Sequence, residues 1–294
     1  MENPGWSRRD FLRRSLFAGG IVAAPGLLTA CAEQASGGLE ELQSQGSITL
    51  GIAGEEPYAY LDNGKLTGAI PEVHKVIWNN LGIDTVQNEQ VAFDGLIPGL
   101  NAQRFNVVAA GMFITPERCQ QAEFADPTYC APNAFLVPKG NPDNITDFAS
   151  AADAGIKIAV LGGAVEGTYA KANGVPGGNV VVVGSTRDGL LQVQQGRVGA
   201  LALTTITLKN ALKDNPSGAL ELTEPFIPEV DGEPQHGCGA AVFRQDDDSL
   251  REAYNEELAK LKESGELVKI MEPFGFGQET LPPDNITTEQ LCGG

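Results

Sequence analysis

The chain has 294 residues, of which 42% are hydrophobic and 20% charged, the composition of a globular protein long enough to form two hydrophobic cores. The formal net charge at pH 7 is −18, so the protein would repel nucleic acid, which is also negatively charged. Length, composition and charge therefore argue against a disordered chain and against a nucleic-acid partner, but they do not select a ligand.

The N-terminus has the pattern of an export signal. The pair Arg8-Arg9 with Phe11 behind it is typical of twin-arginine signals, and a weakly apolar run follows. That run, residues 15–28, is interrupted by glycine and proline and is shorter than the ~20 apolar residues that span a bilayer. The pattern therefore favours a signal over a transmembrane anchor.

The end of this segment resembles a bacterial lipoprotein signal, with Leu28-Thr29-Ala30 directly before Cys31. The resemblance implies that residues 1–30 are removed and that Cys31 becomes the new N-terminus, with a diacylglyceryl group on its thiol. We therefore expect an exported protein, at the cell surface or in the periplasm, that contacts the membrane only through the lipid on Cys31. Residues 31–46 are rich in Ser, Gly, Gln and Glu and predict a flexible tether.

Four cysteines remain once Cys31 is assigned to lipid, and an even number in an oxidising compartment predicts two disulfides. Of the three possible pairings we favour Cys119 with Cys130, which closes a short loop, and Cys238 with Cys292, which would hold the C-terminal tail. A zinc site is disfavoured because no two cysteines lie two to four residues apart and the two histidines follow no ligand spacing. The sequence thus predicts no metal and no cofactor.

Beyond the tether, the hydrophobic pattern predicts alternating strands and helices. Residues 48–52 alternate like a β-strand, and apolar residues at helical spacing in residues 68–81 predict a helix. A weak repeat follows, since residues 94–110 and 188–203 each join an Asp-Gly-Leu helix start to a buried strand. Chance similarity of short apolar motifs is the alternative. Taken as a repeat, the two units predict two α/β lobes of similar plan.

The end of the chain predicts a return to the first lobe. Residues 239–244 have the pattern of a strand, and residues 248–271 have that of an amphipathic helix. If this helix packs on the first lobe, two strands connect the lobes and form a hinge. The predicted domains are lobe 1 from residues 47–133 and 236–294, and lobe 2, with the hinge, from residues 134–235.

Three segments carry a resemblance to a known family. Residues 111–118, 124–129 and 261–267 resemble the signature segments of the extracellular solute-binding proteins that serve ABC importers of the polar amino-acid type. The resemblance covers roughly residues 47–292. It implies an α/β, two-lobed periplasmic-binding-protein-like fold with a ligand cleft between the lobes and a two-strand hinge. It also implies a monomer that binds a small solute and docks on the permease subunits without catalysing a reaction.

One subgroup of that family is the most similar. Residues 113–119, the second cysteine Cys130, and residues 257–276 with Cys292 behind them resemble the corresponding parts of ectoine and hydroxyectoine binders. This resemblance implies a small zwitterionic solute, so the cleft should offer one group to a carboxylate and another to a cation.

Arg118 is the predicted partner of the carboxylate. Its planar fork can donate two parallel charge-assisted hydrogen bonds, a geometry that lysine lacks, and the matching arginine of the family binds the ligand carboxylate. A surface arginine paired with Glu117 is the alternative. In lobe 2, a glycine turn at Gly163 can add main-chain N–H donors. Family members often have a hydroxyl residue where this chain has Val165, so the donation expected there comes from the backbone.

The cationic end of the ligand is predicted to meet aromatic rings. Polar amino-acid binders usually place an aspartate where this chain has Thr204. Its loss argues against a primary ammonium and for a diffuse cation such as the amidinium of ectoine, which suits aromatic faces. Tyr58, Phe93 and Phe113 lie at the matching positions of the family. Each of them alone is equally compatible with a core position.

Glu55 and Glu166 complete the predicted site by offering negative charge to the ring nitrogens of the ligand. Two alternatives stay open. The first keeps the class of protein and changes the solute to a betaine, a proline-like imino acid or a polar amino acid. The second is an exported enzyme on the same fold, such as a dehydratase of a small carboxylate, with Glu55 or Glu166 as the general acid or base.

Overall fold

A computed structural model describes residues 38–213 and 218–293. The predicted signal, Cys31 and the first part of the predicted tether lie outside the described residues. Within the described ranges, no helix combines the length and the apolar character that crossing a bilayer requires.

The described chain alternates short helices and strands. The first part contains α1 (Leu39–Gln45), β1 (Ser47–Ile52), β2 (Tyr60–Asp62), β3 (Lys65–Thr67), α2 (Ala69–Asn80), β4 (Thr85–Gln90), α3 (Leu96–Asn101), β5 (Val107–Phe113), α4 (Pro116–Cys119), β6 (Glu123–Phe124) and β7 (Tyr129–Cys130). The middle part contains β8 (Asn133–Pro138), α5 (Phe148–Asp153), β9 (Ile158–Leu161), α6 (Glu166–Ala172), β10 (Val180–Val183), α7 (Thr186–Gln194), β11 (Ala200–Thr204), α8 (Thr205–Lys213), β12 (Leu220–Leu222), β13 (Glu229–Val230) and β14 (Glu233–Pro234). The last part contains β15 (Cys238–Phe243), α9 (Asp248–Glu263), α10 (Glu266–Met271) and α11 (Thr288–Leu291).

Two separate sheets form the centres of two lobes. The sheet of lobe 1 has the order β4-β1-β5-β15-β6, with β7 also paired to β15, and the sheet of lobe 2 has the order β10-β9-β11-β8-β12. The chain passes from the first sheet to the second between β7 and β8, and returns between β12 and β15, a connection that includes the separate hairpin β13-β14. The two-lobed α/β fold predicted from the sequence is therefore confirmed, with two connections between the lobes.

The two lobes share a local plan that places their strand ends at the cleft. In lobe 1, β5 is parallel to β1 and antiparallel to β15, and in lobe 2, β11 is parallel to β9 and antiparallel to β8. The strands β9 and β11 are buried along their whole length, as expected for strands covered on both faces. Functional side chains in open α/β sheets follow the carboxyl ends of such strands, and the candidate residues of this chain do so.

The prediction of a flexible tether over residues 31–46 is wrong for its last part. Residues 39–45 form helix α1, and Leu42 of this helix is only 2% exposed. The helix ends at Gly46, which adopts a left-handed conformation with φ 69° and closes the C-terminus of the helix. A single buried leucine among polar residues gives too weak a periodic signal for a seven-residue helix to be predicted.

Both disulfides are present, but the predicted pairing is wrong. The structure joins Cys119 to Cys292 and Cys130 to Cys238. Cys130 and Cys238 lie directly opposite each other on the adjacent strands β7 and β15. The preference for a short loop failed because strand pairing, which brings residues 108 positions apart into contact, is not visible in cysteine spacing.

We expect His74 to make the fold sensitive to acid. His74 is fully buried in α2 and its Nδ1 accepts a hydrogen bond of 3.1 Å from Trp78 Nε1, and burial lowers its pKa from 6.5 to about 3. The unfolded chain therefore binds more protons than the native protein between pH 6.5 and 3. The stability that His74 contributes is complete above pH 6.5 and falls by about 3 kcal/mol by pH 4.5.

The comparison of wild type with His74→Phe isolates this effect, because all other groups titrate in both proteins. We expect the free energy of unfolding of the variant to fall by about 3 kcal/mol less between pH 7.5 and pH 4.5 than that of wild type. The variant should be the less stable protein at pH 7.5, where Trp78 lacks its acceptor. Parallel pH profiles of the two proteins, measured by urea unfolding, would contradict the prediction.

Candidate ligand-binding site

Most of the predicted site residues line one small cavity where the two lobes meet. The cavity has a volume of about 30 Å³. The predicted residues in its wall are Glu55, Tyr58, Phe93, Phe113, Arg118, Val165, Glu166 and Thr204. Gly163 is not part of the wall, but its carbonyl oxygen contacts Arg118. The fold thus brings together residues that are spread over about half of the chain.

A larger cavity of about 410 Å³ adjoins the small one and shares Glu55, Phe93 and Leu161 with it. Pockets for small molecules usually have volumes of about 300–1,000 Å³. The small cavity is about a tenth of the lower limit, so a solute next to Arg118 requires the lobes to separate or side chains to move. Lobe contacts across the cleft are therefore central to binding.

Arg118 lies in the first turn after β5. Thr115 caps this turn, since its hydroxyl accepts a hydrogen bond of 3.3 Å from the Arg118 main-chain N–H. The guanidinium donates to the carbonyl oxygen of Phe113 at 2.6 Å and to that of Gly163, in the other lobe, at 2.9 Å. Its central carbon lies 5.6 Å from the ring centre of Phe93. The cation is directed into the cleft and not toward Glu117.

Burial lowers the pKa of Arg118, and the nearby charge of Glu166 acts in the opposite direction. A guanidinium keeps its proton under such conditions, because its unperturbed pKa lies above 12. The site therefore holds a permanent, poorly hydrated cation with its planar fork at the junction of the lobes. Such a group binds a carboxylate more strongly than a solvent-exposed one does.

A chain of hydroxyl groups crosses the cleft to a carboxylate. Tyr58 OH lies 2.9 Å from Thr204 Oγ1, which lies 3.1 Å from Thr207 Oγ1, and Thr207 donates to Glu55 Oε1 at 2.9 Å. Because Thr207 gives its only hydroxyl hydrogen to Glu55, it accepts the hydrogen bond from Thr204. Because Thr204 gives its own hydroxyl hydrogen to Thr207, it accepts the hydrogen bond from Tyr58. All donors of the chain thus point toward Glu55.

Glu55 is poised to change its charge near neutral pH. Burial raises its pKa from 4.5 to about 7, the hydrogen bond from Thr207 lowers it, and the charge of Glu166 raises it again. A positive ligand group beside Glu55 would favour the ionised form. The carboxylate of Glu55, in lobe 1, is therefore linked through the hydroxyl of Thr207 to Thr204, in lobe 2.

Glu166 is the second carboxylate of the site and is only 2% exposed. It begins α6, and its Oε1 accepts a hydrogen bond of 2.8 Å from Asn133 Nδ2. Burial raises the pKa of Glu166, whereas its main-chain N–H, the amide of Asn133 and the charge of Arg118 lower it. Glu55 and Glu166 therefore both place acidic side chains in the wall of the small cavity.

Aromatic rings form the lobe 1 wall of the cavity. Tyr58 and Phe113 are 2% and 5% exposed, and both pack against Tyr129, with ring centres 5.3 Å and 6.2 Å apart. Gly111, with φ 66°, makes room for this packing, because a Cβ there would lie 2.4 Å from the ring of Tyr58. Phe93 is partly exposed at the junction with the larger cavity.

The residues of the site that were not predicted from the sequence include Gly111, Tyr129, Asn133 and Thr207. Gly111 and Tyr129 lie inside the segments that carry the family resemblance, but nothing in those segments marks their direction. Thr207 follows Thr204 by three residues, a spacing that places both on one side of a helix start. Asn133, the first residue of β8, contacts Glu166 of the same lobe 33 residues later in the chain, a proximity that sequence spacing does not reveal.

Most of this chain matches one known protein family. Residues 48–278 match the family described as bacterial extracellular solute-binding proteins, family 3. This chain belongs to that family. Its members are solute-binding proteins, and none of the chemistry described above requires turnover of the solute.

Two relatives of this solute-binding protein cover most of its length. A probable amino-acid ABC transporter periplasmic-binding protein, y4tE of Sinorhizobium fredii (strain NBRC 101917 / NGR234), is 35% identical over 260 residues, which is 86% of this chain and 85% of the relative. The crystal structure of EhuB in complex with hydroxyectoine is similar with a TM-score of 0.79 and 36% identity, over 86% of this chain and 97% of that chain.

A third similar structure bears on the enzyme alternative. It is the ancestral amino acid-binding protein AncCDT-1, described as a precursor of cyclohexadienyl dehydratase, with a TM-score of 0.70 and 26% identity over 80% of this chain and 98% of that chain. The similarity is to the binding protein from which the enzyme descends. A solute-binding scaffold of this kind can therefore be near an enzyme in ancestry without being one.

We expect Gly163→Ala to hold the lobes of this solute-binding protein apart. Gly163 has φ 77°, and a Cβ there would lie 2.7 Å from Asp94 Cβ and 2.8 Å from Asp94 Cα in lobe 1. The clash arises only when the lobes meet, so closure should be opposed and solute affinity should fall about tenfold, a change equivalent to ~1.4 kcal/mol. Titration calorimetry measures the affinity, and small-angle X-ray scattering with solute measures closure.

Gly196→Ala is the matched control for that variant. Gly196 also has a positive φ, 64°, but a Cβ there would meet no atom within 4 Å. This substitution places an alanine in the left-handed backbone conformation, which costs about 1–2 kcal/mol, but it creates no contact between the lobes. We expect a similar loss of stability in both variants and a loss of affinity only in Gly163→Ala. Equal affinities of the two variants would mean that the lobes close without bringing residue 163 against Asp94.

Proposed function

We propose that this protein captures ectoine or hydroxyectoine between its lobes and delivers the solute to the permease of an ABC importer. The observation that carries the proposal is the arrangement around one cavity of the Arg118 fork, four aromatic rings and two acidic side chains. The 36% identity with EhuB, whose structure contains hydroxyectoine, supports the same class of ligand.

The two charged groups of such a zwitterion would each find a complementary partner in the cavity wall. Its carboxylate would take the place of the carbonyl oxygens that Arg118 now contacts, and main-chain N–H groups of the turn at Gly163 would add donors. Its amidinium would face the rings of Tyr58 and Phe113, with Phe93 at the entrance. Val165 contributes apolar surface in this arrangement, since it has no polar side-chain atom.

The negative partners of the amidinium would be Glu55 and Glu166. A diffuse cation can contact both, since its charge is shared between two ring nitrogens. Thr204 is neutral and already hydrogen-bonded to Tyr58 and Thr207, so it offers no charge to a compact α-ammonium. These contacts favour an amidinium over an ordinary amino acid, although an amino-acid binder stands among the relatives.

We further propose that the protein acts at the outer side of the cell membrane. The twin-arginine pattern and Cys31 support export followed by lipid attachment, and the resemblance to receptors of ABC importers supports permease subunits as partners. A monomer suffices for this role, because both walls of the cavity come from one chain. Mass spectrometry of the membrane-derived protein tests for a lipid on Cys31.

Titration calorimetry of the purified protein with ectoine, hydroxyectoine, glycine betaine, proline and glutamine tests the ligand class. We expect micromolar or tighter binding of ectoine or hydroxyectoine and much weaker binding of the other solutes. Binding of glutamine without binding of ectoine would contradict the proposal and would show that Thr204 accommodates an α-ammonium. NMR of the recovered solute should show that its structure is unchanged. A converted solute would instead support the alternative that this protein is an exported enzyme.

A further inference from the structure

The turn that carries Arg118 has few attachments to the sheets. Helix α4 is a single turn of four residues, and the two residues after it are held by exposed hydrogen bonds from side chains. Gln245 Nε2 donates to the carbonyl oxygen of Gln120 at 3.1 Å, and Asn101 Nδ2 donates to that of Gln121 at 3.0 Å. Exposed hydrogen bonds of this kind exchange readily with water and restrain a turn weakly. The position of the main chain that carries Arg118 therefore also depends on contacts from other segments.

Residues 287–293, here called the C-terminal clasp, provide such contacts on both ends of α4. Cys292 forms the disulfide with Cys119, the last residue of α4. Gly293 lies against Pro116, the first residue of α4, and a Cβ on this glycine would be 3.5 Å from the proline ring. The clasp therefore holds the whole turn on which Arg118 stands.

The clasp is itself an ordered element with its own anchor on lobe 1. Thr287 caps helix α11 in a reciprocal pair of hydrogen bonds with Gln290. Thr288 Oγ1 donates to the carbonyl oxygen of Ala125 at 2.9 Å. A rigid helix bound to the lobe can transmit its position to α4 through the crosslink, whereas a loose tail cannot.

The other disulfide has a different place in the fold. Cys130 and Cys238 are opposite residues of β7 and β15, whose ladder hydrogen bonds already fix their distance. Cys119 and Cys292 lie on a one-turn helix and at the end of α11, with no strand pairing between them. Both crosslinks close long loops, of 173 and 108 residues in sequence separation, so their loss should affect stability to a similar degree.

We propose that the Cys119–Cys292 disulfide and the C-terminal clasp are positioning elements for Arg118, so that the carboxylate of the solute is bound tightly only when the crosslink is intact. Cys119 is the residue directly after Arg118, so the crosslink acts next to the main-chain atoms that orient the fork. Bidentate binding tolerates displacements of only about 0.5 Å or 10–20°. The inference rests on the proposed function only in assigning the carboxylate to Arg118.

The first experiment compares two double variants of the full chain, Cys119→Ser with Cys292→Ser, and Cys130→Ser with Cys238→Ser. We expect the first pair to weaken hydroxyectoine binding about tenfold and the second pair to weaken it less than about threefold, with similar losses of thermal stability. Equal affinity losses in the two pairs would overturn the proposal. Thr288→Val retains both disulfides but loses the hydrogen bond between the clasp and Ala125, and it should weaken binding by about threefold. This variant tests the role of the clasp in case the cysteine variants do not fold.

A second experiment tests whether the crosslink acts through Arg118. Introduced into Arg118→Lys, which lacks the planar fork, the removal of Cys119 and Cys292 should change the affinity by less than twofold. A tenfold loss in this background as well would place the effect of the disulfide elsewhere and overturn the proposal. Lysine is chosen because its single ammonium group does not depend on the orientation of a fork.

A readout without solute separates this inference from the proposed function. If hydroxyectoine gives no heat with wild type, the proposed ligand is wrong, but the positioning role can still be measured by hydrogen exchange. Loss of the Cys119–Cys292 disulfide should speed the exchange of the amides of residues 117–121 at least tenfold, and loss of the other disulfide should leave them unchanged. Unchanged exchange in the first variant would overturn the proposal.

Discussion

Arg118→Ala should weaken solute binding by about a thousandfold, an effect equivalent to ~4 kcal/mol. The guanidinium is partly buried between the lobes, where its hydrogen bonds reach Phe113 and Gly163. In the complex, the solute carboxylate would be left without a cation in a poorly hydrated cavity. Removing one partner of a buried, hydrogen-bonded ion pair costs about 2–5 kcal/mol. Titration calorimetry with hydroxyectoine measures the loss directly.

Two further variants define what Arg118 supplies. Arg118→Lys keeps the charge but loses the planar fork, so we expect an intermediate loss of about 10- to 100-fold. Arg104→Ala is the matched control, because Arg104 is an exposed arginine of lobe 1 that pairs with Glu89. Exposed pairs contribute ~0–1 kcal/mol, so this variant should bind normally. If Arg118→Ala bound the solute as well as Arg104→Ala does, the carboxylate would have another partner.

The sequence pointed to Arg118 because local order places this residue in the turn directly after β5. The strand β5, the cap at Thr115 and the proline after it follow one another in the chain, so the arginine is placed by its neighbours. The same holds for Glu166, which begins the helix after β9. Motifs of this kind carry their geometry with them, and the cavity between the two lobes follows once the fold is known.

Contacts between distant segments could not be predicted in this way. The Cys119–Cys292 disulfide joins a turn of the first half of the chain to the last helix, and Thr207 reaches Glu55 across the cleft. Neither pair is marked by spacing or composition, because each depends on how the two sheets and the tail are arranged in space. The hydrogen bond between Thr204 and Tyr58, which precedes it by 146 residues, is a further contact of this kind.

The acidic residues of the site have opposite effects on the free protein and on its complex. Burial raises the pKa values of Glu55 and Glu166, which means that burial of their ionised forms destabilises the folded protein. A bound cation reverses this effect by stabilising the same charges. Such a site reduces the stability of the free protein and increases its affinity for a positively charged solute.

Glu55→Gln should separate these two effects. The pKa of Glu55 is about 7 in the folded protein and 4.5 when unperturbed, so the folded protein binds more protons between pH 4.5 and 7. The stability contributed by the protonated form is complete below pH 4.5 and is lost as the pH rises through 7. Glutamine resembles the protonated form at every pH. The variant should therefore be more stable than wild type at pH 8, by at most about 3 kcal/mol, and equally stable at pH 4.

The same substitution should weaken binding of hydroxyectoine at pH 8 by about 10- to 100-fold, because a charge-assisted contact to the amidinium is lost. Wild-type affinity should fall about tenfold between pH 8 and pH 6 as Glu55 takes up its proton, whereas the variant should lose most of this pH dependence. Glu56→Gln is the matched control, since Glu56 is the exposed neighbour of Glu55. A variant that lost both stability and affinity would show that the Glu55 carboxylate stabilises the free fold through Thr207 more than its burial destabilises it.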